Sequence, residues 1–328
     1  MWWKKLKQQN VKQAKYLHLR GKKEPKSHII AVGGGKGGVG KSFVSSSFAL
    51  FLSQMGYKTV LVDLDIGAAN LHTYLGMRTP ENGINEFLKT PHMKLIQSKT
   101  STNFRNLELI SCASDSLEAP YLTESGRSRL MSSIYNLEAD YVILDLSAGT
   151  QTTTLDFFLM ATQHLVVFTP EPVSVENAYR FIKSAFYRRI KRYEFHLNLE
   201  NELSMIMARK DEMGVRTPGD LIHFLSKHNP EKGGELAELM GKFKINIILN
   251  QGRSQKDLEL APSIESVCRK YFGIPCELLG QVEYDNAVWQ SLRRRKHLLV
   301  DCPTSRLYTQ LMRISRALTK PHKRKAVV

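Results

Sequence analysis

A glycine-rich stretch with two lysines, VGGGKGGVGKS (32–42), carries the clearest chemistry in this sequence. Glycines accept positive φ, which lets consecutive backbone N–H groups converge on an anion. Lys41 and Ser42 close the stretch, and a lysine followed by a hydroxyl suits nucleotide phosphates with Mg²⁺. The spacing therefore predicts a phosphate-binding loop in which Lys41 contacts the β- and γ-phosphates and Ser42 binds Mg²⁺.

Carboxylates follow two apolar stretches, LVDLD (61–65) and YVILDL (141–146). Asp63 and Asp65 are two residues apart, so at the end of a strand their side chains point the same way. A carboxylate beside phosphates is repelled unless a metal ion or water lies between them. We therefore expect these groups, with Asp145, to take part in chemistry at the loop. For Asp63 and Asp65, simple capping of the strand end is the structural alternative.

These groups need a scaffold, and the sequence predicts one from alternating apolar strands and amphipathic helices. Helical spacing covers 42–56 and 174–193, and the stretch 194–243 is polar and helical, which we interpret as a helical insertion. The pattern predicts an α/β fold of three layers, with a mostly parallel sheet flanked by helices. Such sheets bind ligands beyond the carboxyl ends of their strands. The predicted strands are 28–32, 58–65, 106–113, 141–146, 164–169, 245–250 and 276–282.

Charge is concentrated at the two ends of the chain, whose net charge is +16 over 328 residues. Residues 1–28 hold nine Lys/Arg and one acid, and residues 293–328 hold eleven and one, which leaves the middle nearly neutral. We expect a basic extension (1–27), one domain (28–320) and a basic tail (321–328). Basic ends are typical of contact with DNA, RNA or an anionic membrane surface. Solubility alone is the other explanation.

Hydropathy and cysteine spacing favour a cytoplasmic protein. No stretch of the sequence approaches 18 consecutive apolar residues, and the N-terminus lacks the apolar centre of a signal peptide. The cysteines include no C-x-x-C pair, and at this chain length we expect free thiols rather than disulfides. They are Cys112, Cys268, Cys276 and Cys302.

K-G-G-V-G-K-S (36–42) resembles the deviant Walker A motif of the MinD/ParA family of P-loop ATPases. LVDLDIGAANL (61–71) is similar to the second-strand motif of that family, and YVILDLSAGT (141–150) to its Walker B segment. The resemblance covers most of residues 28–320. It implies a P-loop NTPase fold, ATP/ADP and Mg²⁺ as cofactors, slow partner-stimulated hydrolysis, and an ATP-dependent homodimer.

The resemblance also implies roles for single residues. Lys36 would reach across the dimer interface to the phosphates of the partner subunit, while Lys41 acts within its own subunit. A solvated loop charge is the alternative for Lys36. Asp65 would position the hydrolytic water, so the expected catalytic residues are Lys36, Lys41 and Asp65. The expected metal-binding residues are Ser42, Asp63 and Asp145.

Further nucleotide contacts follow from the same resemblance. Gly149 in switch II would sense the γ-phosphate, and Asn250 would hydrogen-bond the adenine ring. Asn70 would lie in switch I. Ser147 departs from the proline or glycine usual in switch II, and we expect a softer segment with an altered hydrolysis rate. The expected nucleotide-binding residues are Gly35, Gly37, Gly38, Val39, Gly40, Lys41, Ser42, Phe43, Gly149 and Asn250.

The branch of the family depends on weaker signals. KQAKYLHLR (12–20) partly resembles the N-terminal motif of flagellar-number ATPases of the FlhG/FleN type, with Gln13, Ala14 and Leu17 in register. This favours spatial positioning or number control of a flagellum or polar assembly, with a protein partner and a location at the membrane or cell pole. The alternatives are a ParA-like DNA partitioning ATPase that uses SLRRRKHLL (291–299), and a nucleotide-regulated binding module with negligible turnover.

Two end segments leave the membrane question open. Trp2 and Trp3 lie beside lysines, as in an interfacial membrane anchor. The segment 305–328 fits either a core helix or a membrane-surface helix, and we expect a core helix followed by a basic tail.

Overall fold

The computed structural model describes residues 25–113 and 122–319, which contain an eight-stranded sheet in the order β3-β4-β2-β5-β1-β6-β7-β8. All neighbouring strands are parallel except β3, which pairs with β4 in the antiparallel sense. The predicted mostly parallel sheet is therefore confirmed, and the two-residue edge strand β3 was not predicted. The strands are β1 (His28–Gly33), β2 (Thr59–Leu64), β3 (Thr100–Ser101), β4 (Leu107–Ile110), β5 (Tyr141–Leu146), β6 (Gln163–Phe168), β7 (Ile245–Gly252) and β8 (Cys276–Glu283).

Helices cover both faces of this sheet, with a short 3₁₀ turn at Leu95–Ser98. They are α1 (Lys41–Gln54), α2 (Leu71–Tyr74), α3 (Ile84–Lys89), α4 (Glu124–Tyr135), α5 (Thr152–Met160), α6 (Pro172–His196), α7 (Glu200–Ala208), α8 (Pro218–His228), α9 (Pro230–Gly241), α10 (Gln255–Phe272), α11 (Asn286–Arg293), α12 (Leu298–Asp301) and α13 (Arg306–Leu318).

Alternating side chains of the central strands fill two apolar cores, one on each face of the sheet. Ile29 of β1 packs into the core beneath α4–α6, while its neighbour Ile30 packs into the core beneath α1 and α13. Successive residues of a strand point to opposite faces, so a strand covered on both sides must be apolar throughout. This is why the strands could be recognised as continuous apolar stretches.

The polar stretch 194–243 forms α7, α8 and α9 beside the sheet. Leu225 of α8 and Leu236 of α9 are buried in the same core as α6. Gly233 lies against α8 so closely that a Cβ there would be 2.4 Å from the Leu225 carbonyl carbon. The segment therefore packs onto the main core instead of forming a core of its own.

The last described helix, α13, is a core helix. Leu311 and Ile314 are almost fully buried against α1 and β8, together with Leu307 and Leu318. A membrane-surface role for this helix is therefore wrong, because its apolar face is already covered. Within residues 25–113 and 122–319, none of the helices combines the length and the apolar character that crossing a bilayer requires.

Much of the two basic chain ends lies outside the residues that the structure describes. Residues 1–24 and 320–328 are not among the described residues, and neither is 114–121. The partial motif around Gln13 and the tryptophan pair Trp2 and Trp3 consequently remain predictions from sequence.

Candidate nucleotide-binding site

The strand register brings three distant segments together at the carboxyl edge of the sheet. Val32 at the end of β1 is opposite Asp145 of β5, and Asp63 of β2 is opposite the same Asp145. The glycine-rich loop starts directly after β1, so it lies against both carboxylates. Parallel strands make this meeting inevitable, since all their carboxyl ends share one edge.

A cavity of about 640 Å³ opens at this edge. Its phosphate end, as we call it, is formed by the glycine-rich loop and the start of α1, and Asp65 and Asn70 face it from the loop after β2. The predicted residues that border the cavity are Gly37, Gly38, Gly40, Lys41, Ser42, Phe43, Asp65, Asn70 and Asn250.

The loop requires glycine at defined positions. Gly40 has φ +91°, and a Cβ there would lie 2.1 Å from Nδ2 of Asn250. A Cβ on Gly35 would lie 2.0 Å from the carbonyl oxygen of Asn177. The first contact is with the amide that holds the loop and the second is with the backbone of α6, so a side chain at either position would displace the loop.

Two neighbouring side-chain amides at the end of β7 hold the glycine-rich loop in place. Nδ2 of Asn250 donates to the Val39 carbonyl at 2.8 Å, and Nε2 of Gln251 donates to the Gly38 carbonyl at 3.1 Å. Asn250 is buried and Gln251 is half-buried. From the sequence we expected Asn250 to contact only the adenine ring, and we predicted no contact for Gln251. That adenine contact stays a prediction, and the loop contact is an additional duty of the same side chain.

Lys41 lies buried beneath the loop, where Nζ donates to the Lys36 carbonyl at 3.4 Å. Burial lowers the pKa of its ammonium group, while the charges of Asp145 and Asp65 oppose that shift. A buried ammonium with only one neutral acceptor is poorly satisfied. It is therefore available to an anion entering the cavity.

Asp145 is almost completely buried, and its two oxygens differ. Oδ1 accepts a hydrogen bond from the Ser45 hydroxyl at 2.9 Å, whereas Oδ2 is buried without a hydrogen-bond partner among the described residues. Burial raises the pKa of this carboxyl to about 6, and the Ser42 and Ser45 hydroxyls and the Lys41 ammonium oppose the rise. An orphaned oxygen beside Ser42 fits a hydrated Mg²⁺, which takes few protein ligands and completes its shell with water and phosphate oxygens. In the described part of the chain, no group of three or more His, Cys, Asp or Glu side chains could hold a metal ion.

Asp63 differs from Asp145 because backbone groups engage both of its oxygens. Oδ1 accepts from the N–H of Asp65 at 3.2 Å, and Oδ2 accepts from the N–H groups of Asn70 and Leu71 at 3.0 Å each. Burial, followed by the charge of Asp145, raises the pKa of this carboxyl to about 7. The side chain shapes the loop 65–71, which matches the structural alternative for this residue, and a role in the Mg²⁺ shell stays a prediction.

Switch II is fastened to its neighbours in this conformation. The Ser147 hydroxyl donates to the Leu64 carbonyl at 3.0 Å, and the N–H of Gly149 donates to the Gly34 carbonyl at 3.2 Å. Gly149 has φ +94°, which favours glycine. We expected Ser147 to soften this segment, but its hydroxyl adds a link between β5 and β2 that a proline or glycine side chain lacks.

Lys36 is the one predicted catalytic residue that does not border the cavity. Nζ lies 3.1 Å from Oε2 of Glu171, and both side chains are largely exposed. The loop therefore presents two lysines in opposite directions, with Lys41 facing the cavity of its own chain and Lys36 facing outward.

A family model decides which family this geometry represents. The model described as "ParA: NUBPL iron-transfer P-loop NTPase" matches residues 26–193, which is about half of the chain. The chain belongs to the ParA/MinD family of P-loop NTPases. The match includes the glycine-rich loop, all three aspartates and switch II.

Curated relatives of this ParA/MinD chain include proteins of two cellular systems. It is 34% identical over 160 residues to the septum site-determining protein MinD of Buchnera aphidicola subsp. Schizaphis graminum, covering 48% of this chain and 58% of that one. It is 29% identical over 157 residues to the antiactivator FleN of Pseudomonas aeruginosa, covering 47% and 55%. The chain thus spans little more than half the length of these relatives.

Solved structures support the fold over a longer stretch. The septum site-determining protein MinD of Pyrococcus horikoshii, complexed with Mg-ADP, superposes with a TM-score of 0.60 at 19% identity, and the match covers 92% of this chain and 100% of that one. This likeness confirms the predicted P-loop NTPase fold.

Burial of the Asp145 charge predicts that Asp145→Asn stabilises the chain against unfolding when metal and nucleotide are absent. The size of this stabilisation should depend on pH. The pKa of Asp145 is about 6 in the folded state, above the roughly 3.9 of an unfolded Asp. Wild-type stability from this group therefore falls as pH rises between these values. In urea unfolding with EDTA, we expect Asp145→Asn to raise the free energy of unfolding by about 1–3 kcal/mol at pH 8. The gain should vanish near pH 4.

Asp65→Asn is the matched control, because it removes the same charge from a half-exposed carboxylate at the same cavity. Its effect on unfolding should be smaller. A gain from Asp145→Asn that is equal at both pH values would contradict the assignment to buried charge.

Proposed function

We propose that this chain binds Mg-ATP at the phosphate end of the cavity and hydrolyses it slowly, and that bound ATP brings two copies together as a dimer. One observation carries the proposal. A buried, poorly satisfied Lys41 ammonium lies beneath the glycine-rich loop, and its charge interacts with that of Asp145, whose Oδ2 is orphaned among the described residues. An ammonium and a carboxylate in this arrangement are complementary to a phosphate group and its metal ion, respectively.

Each residue has a distinct task in the proposed reaction. The loop N–H groups and Lys41 bind the phosphates, which spreads positive charge over the oxygens that gain negative charge. Ser42 and Asp145 would hold Mg²⁺, which would neutralise part of the phosphate charge. Asp65 borders the cavity with Lys41 and would orient the attacking water and accept its proton.

The outward direction of Lys36 supports the dimer. Its ion pair with Glu171 is exposed at both side chains, and such a pair contributes only about 0–1 kcal/mol. A lysine so weakly restrained can turn to a second copy of the chain. Two nucleotides that face one another repel, and a lysine from each side offsets that repulsion.

The names of the relatives support a role in spatial positioning. One is a septum site-determining protein and another is an antiactivator. We propose that this chain switches between monomer and dimer to control the place or number of a cellular structure, with a flagellum or polar assembly favoured by the resemblance around Gln13. A protein partner of that assembly and a peripheral location at the membrane or pole belong to this proposal.

The test of the ATP cycle is an Asp65→Ala variant, measured by phosphate release and by size-exclusion chromatography with ATP or ADP. Without the group that orients water, hydrolysis should fall about 100-fold or more, so that the ATP-bound dimer accumulates. Asp211→Ala removes an exposed carboxylate far from the cavity and should behave as wild type.

Equal monomer fractions of Asp65→Ala with ATP and with ADP would refute the switch. If the wild type dimerises with ATP but releases no phosphate, even with DNA or anionic liposomes present, the chain is a nucleotide-regulated binding module instead.

Lys36→Ala should separate nucleotide binding from dimerisation. Because Lys36 does not border its own cavity, ADP affinity should change less than about threefold, while the ATP-dependent dimer is lost. Light scattering and ADP titration measure the two effects on one sample. Lys26→Ala is the control, since Lys26 also pairs with an exposed glutamate but lies away from the loop. Loss of ADP binding together with the dimer would show that Lys36 acts within its own subunit.

A second candidate function, DNA partitioning, is favoured by an exposed basic run at the end of α11. Arg293, Arg294, Arg295 and Lys296 are all exposed. Clustered cations bind nucleic acid through phosphates, with steep salt dependence. The double variant Arg295→Gln/Lys296→Gln should weaken ATP-dependent co-sedimentation with DNA about tenfold at moderate salt. Lys89→Gln/Lys94→Gln removes the same charge from another exposed site as a control. Sedimentation with anionic liposomes and not with DNA would rule this candidate out.

A further inference from the structure

The end of the cavity opposite the phosphate loop has a different chemistry. It is formed by the end of β8, by α11 and by the start of α13, and we call it the apolar end. Its apolar lining consists of Tyr284, Val288, Trp289, Leu292 and Leu307, and the polar residues Glu283, Asp285 and Asn286 also border it. A cavity with cationic and N–H groups at one end and aromatic and aliphatic groups at the other is suited to a ligand that is charged at one end and flat and apolar at the other.

Trp289 stands out among these residues because it is exposed. Its relative accessibility is 56%, while the core around α1 and α13 is almost completely buried. The guanidinium of Arg293 lies 4.8 Å from the centre of the indole ring. Arg293 lies over the ring, and the indole nevertheless stays more than half exposed where it borders the cavity. An indole that is already ordered by a cation–π contact loses little conformational freedom when a second flat group stacks on it.

Tyr284 is the other aromatic side chain of the apolar end, and its position is less favourable. The guanidinium of Arg253 lies 4.0 Å from the centre of its ring. Tyr284 also borders a neighbouring hollow of about 480 Å³, together with Arg253 and Arg306. Its ring is therefore shared between two hollows, whereas Trp289 borders the nucleotide cavity and not that neighbouring hollow.

We propose that Trp289 is the stacking platform for the base of the bound nucleotide, which would lie in a layered arrangement of Arg293, Trp289 and base. The inference rests on the proposed nucleotide function and assigns one residue to the recognition of the base. Stacking of a base on an aromatic ring uses the π-face that every base has, and purines offer the larger face. Trp289 therefore supplies affinity for the base, while the loop supplies affinity for the phosphates.

The experiment compares a ligand that has a base with one that lacks it. The probes are Mg-ADP and Mg-tripolyphosphate, titrated into the full chain by calorimetry. Trp289→Ala should weaken ADP binding roughly 5- to 100-fold, the range found when an aromatic base platform is removed, and should leave tripolyphosphate binding unchanged. Trp289→Phe should retain most of the ADP affinity. Tyr284→Ala is the matched control and should have the smaller effect.

Fluorescence gives an independent readout. The chain has three tryptophans, so the Trp2→Phe/Trp3→Phe variant reports on Trp289 alone. ADP should quench its emission, and tripolyphosphate should not.

The possible outcomes separate the two levels of the proposal. If the wild type binds neither probe, the proposed function and this inference both fail. If the wild type binds both probes and Trp289→Ala binds ADP equally well, only the inference fails, and the exposed indole serves another contact such as a protein or membrane surface. An equal loss of both probes in Trp289→Ala would indicate a structural role and also overturn the inference, as would a larger loss of ADP in Tyr284→Ala.

Discussion

The structure depends on a set of charges buried at the point where β1, β2 and β5 end. Asp63 and Asp145 are opposite one another in the sheet, and Lys41 lies beneath the loop that follows β1. Burial and the charge of Asp145 raise the pKa of Asp63, and burial of all three groups carries a desolvation cost. The fold tolerates this desolvation cost because the apolar side chains of the surrounding strands and helices are buried in two large cores.

The desolvation cost of these buried charges affects ligand binding directly. Backbone N–H groups stabilise Asp63, but among the residues that the structure describes, Oδ2 of Asp145 and the ammonium of Lys41 lack comparable partners. A metal ion and a phosphate would provide what each of them lacks. Binding energy at this site would therefore come partly from relieving charges that the folded chain already holds in place. Asn250 and Gln251, which also border the cavity, hold the loop by donating to the carbonyls of Val39 and Gly38, so these carbonyls are already paired when an anion enters.

Several features were predictable from the sequence because local physical rules govern them. A strand buried on both faces must be apolar throughout, so the central strands could be recognised from their composition. The loop was recognisable because Gly40 and its neighbours serve a backbone conformation that few other residues adopt. The edge strand β3 could not be recognised, since two residues that pair with one neighbour leave no periodic pattern.

The sequence was sufficient to predict that Asp63 and Asp145 lie at the ends of strands, because both come at the end of apolar stretches, and the structure showed that the two strands are neighbours. Only the tertiary structure decided their different roles, since the N–H groups that occupy Asp63 come from a loop whose path the strand does not determine. In the same way, the periodicity of α13 predicted an apolar face, and packing against α1 and β8 decided that this face belongs to the core. The sequence by itself determined the phosphate loop and the sheet that positions it. The tertiary structure decided which carboxylate is left with a free oxygen and which lysine faces outward, because both depend on contacts between residues a hundred or more positions apart.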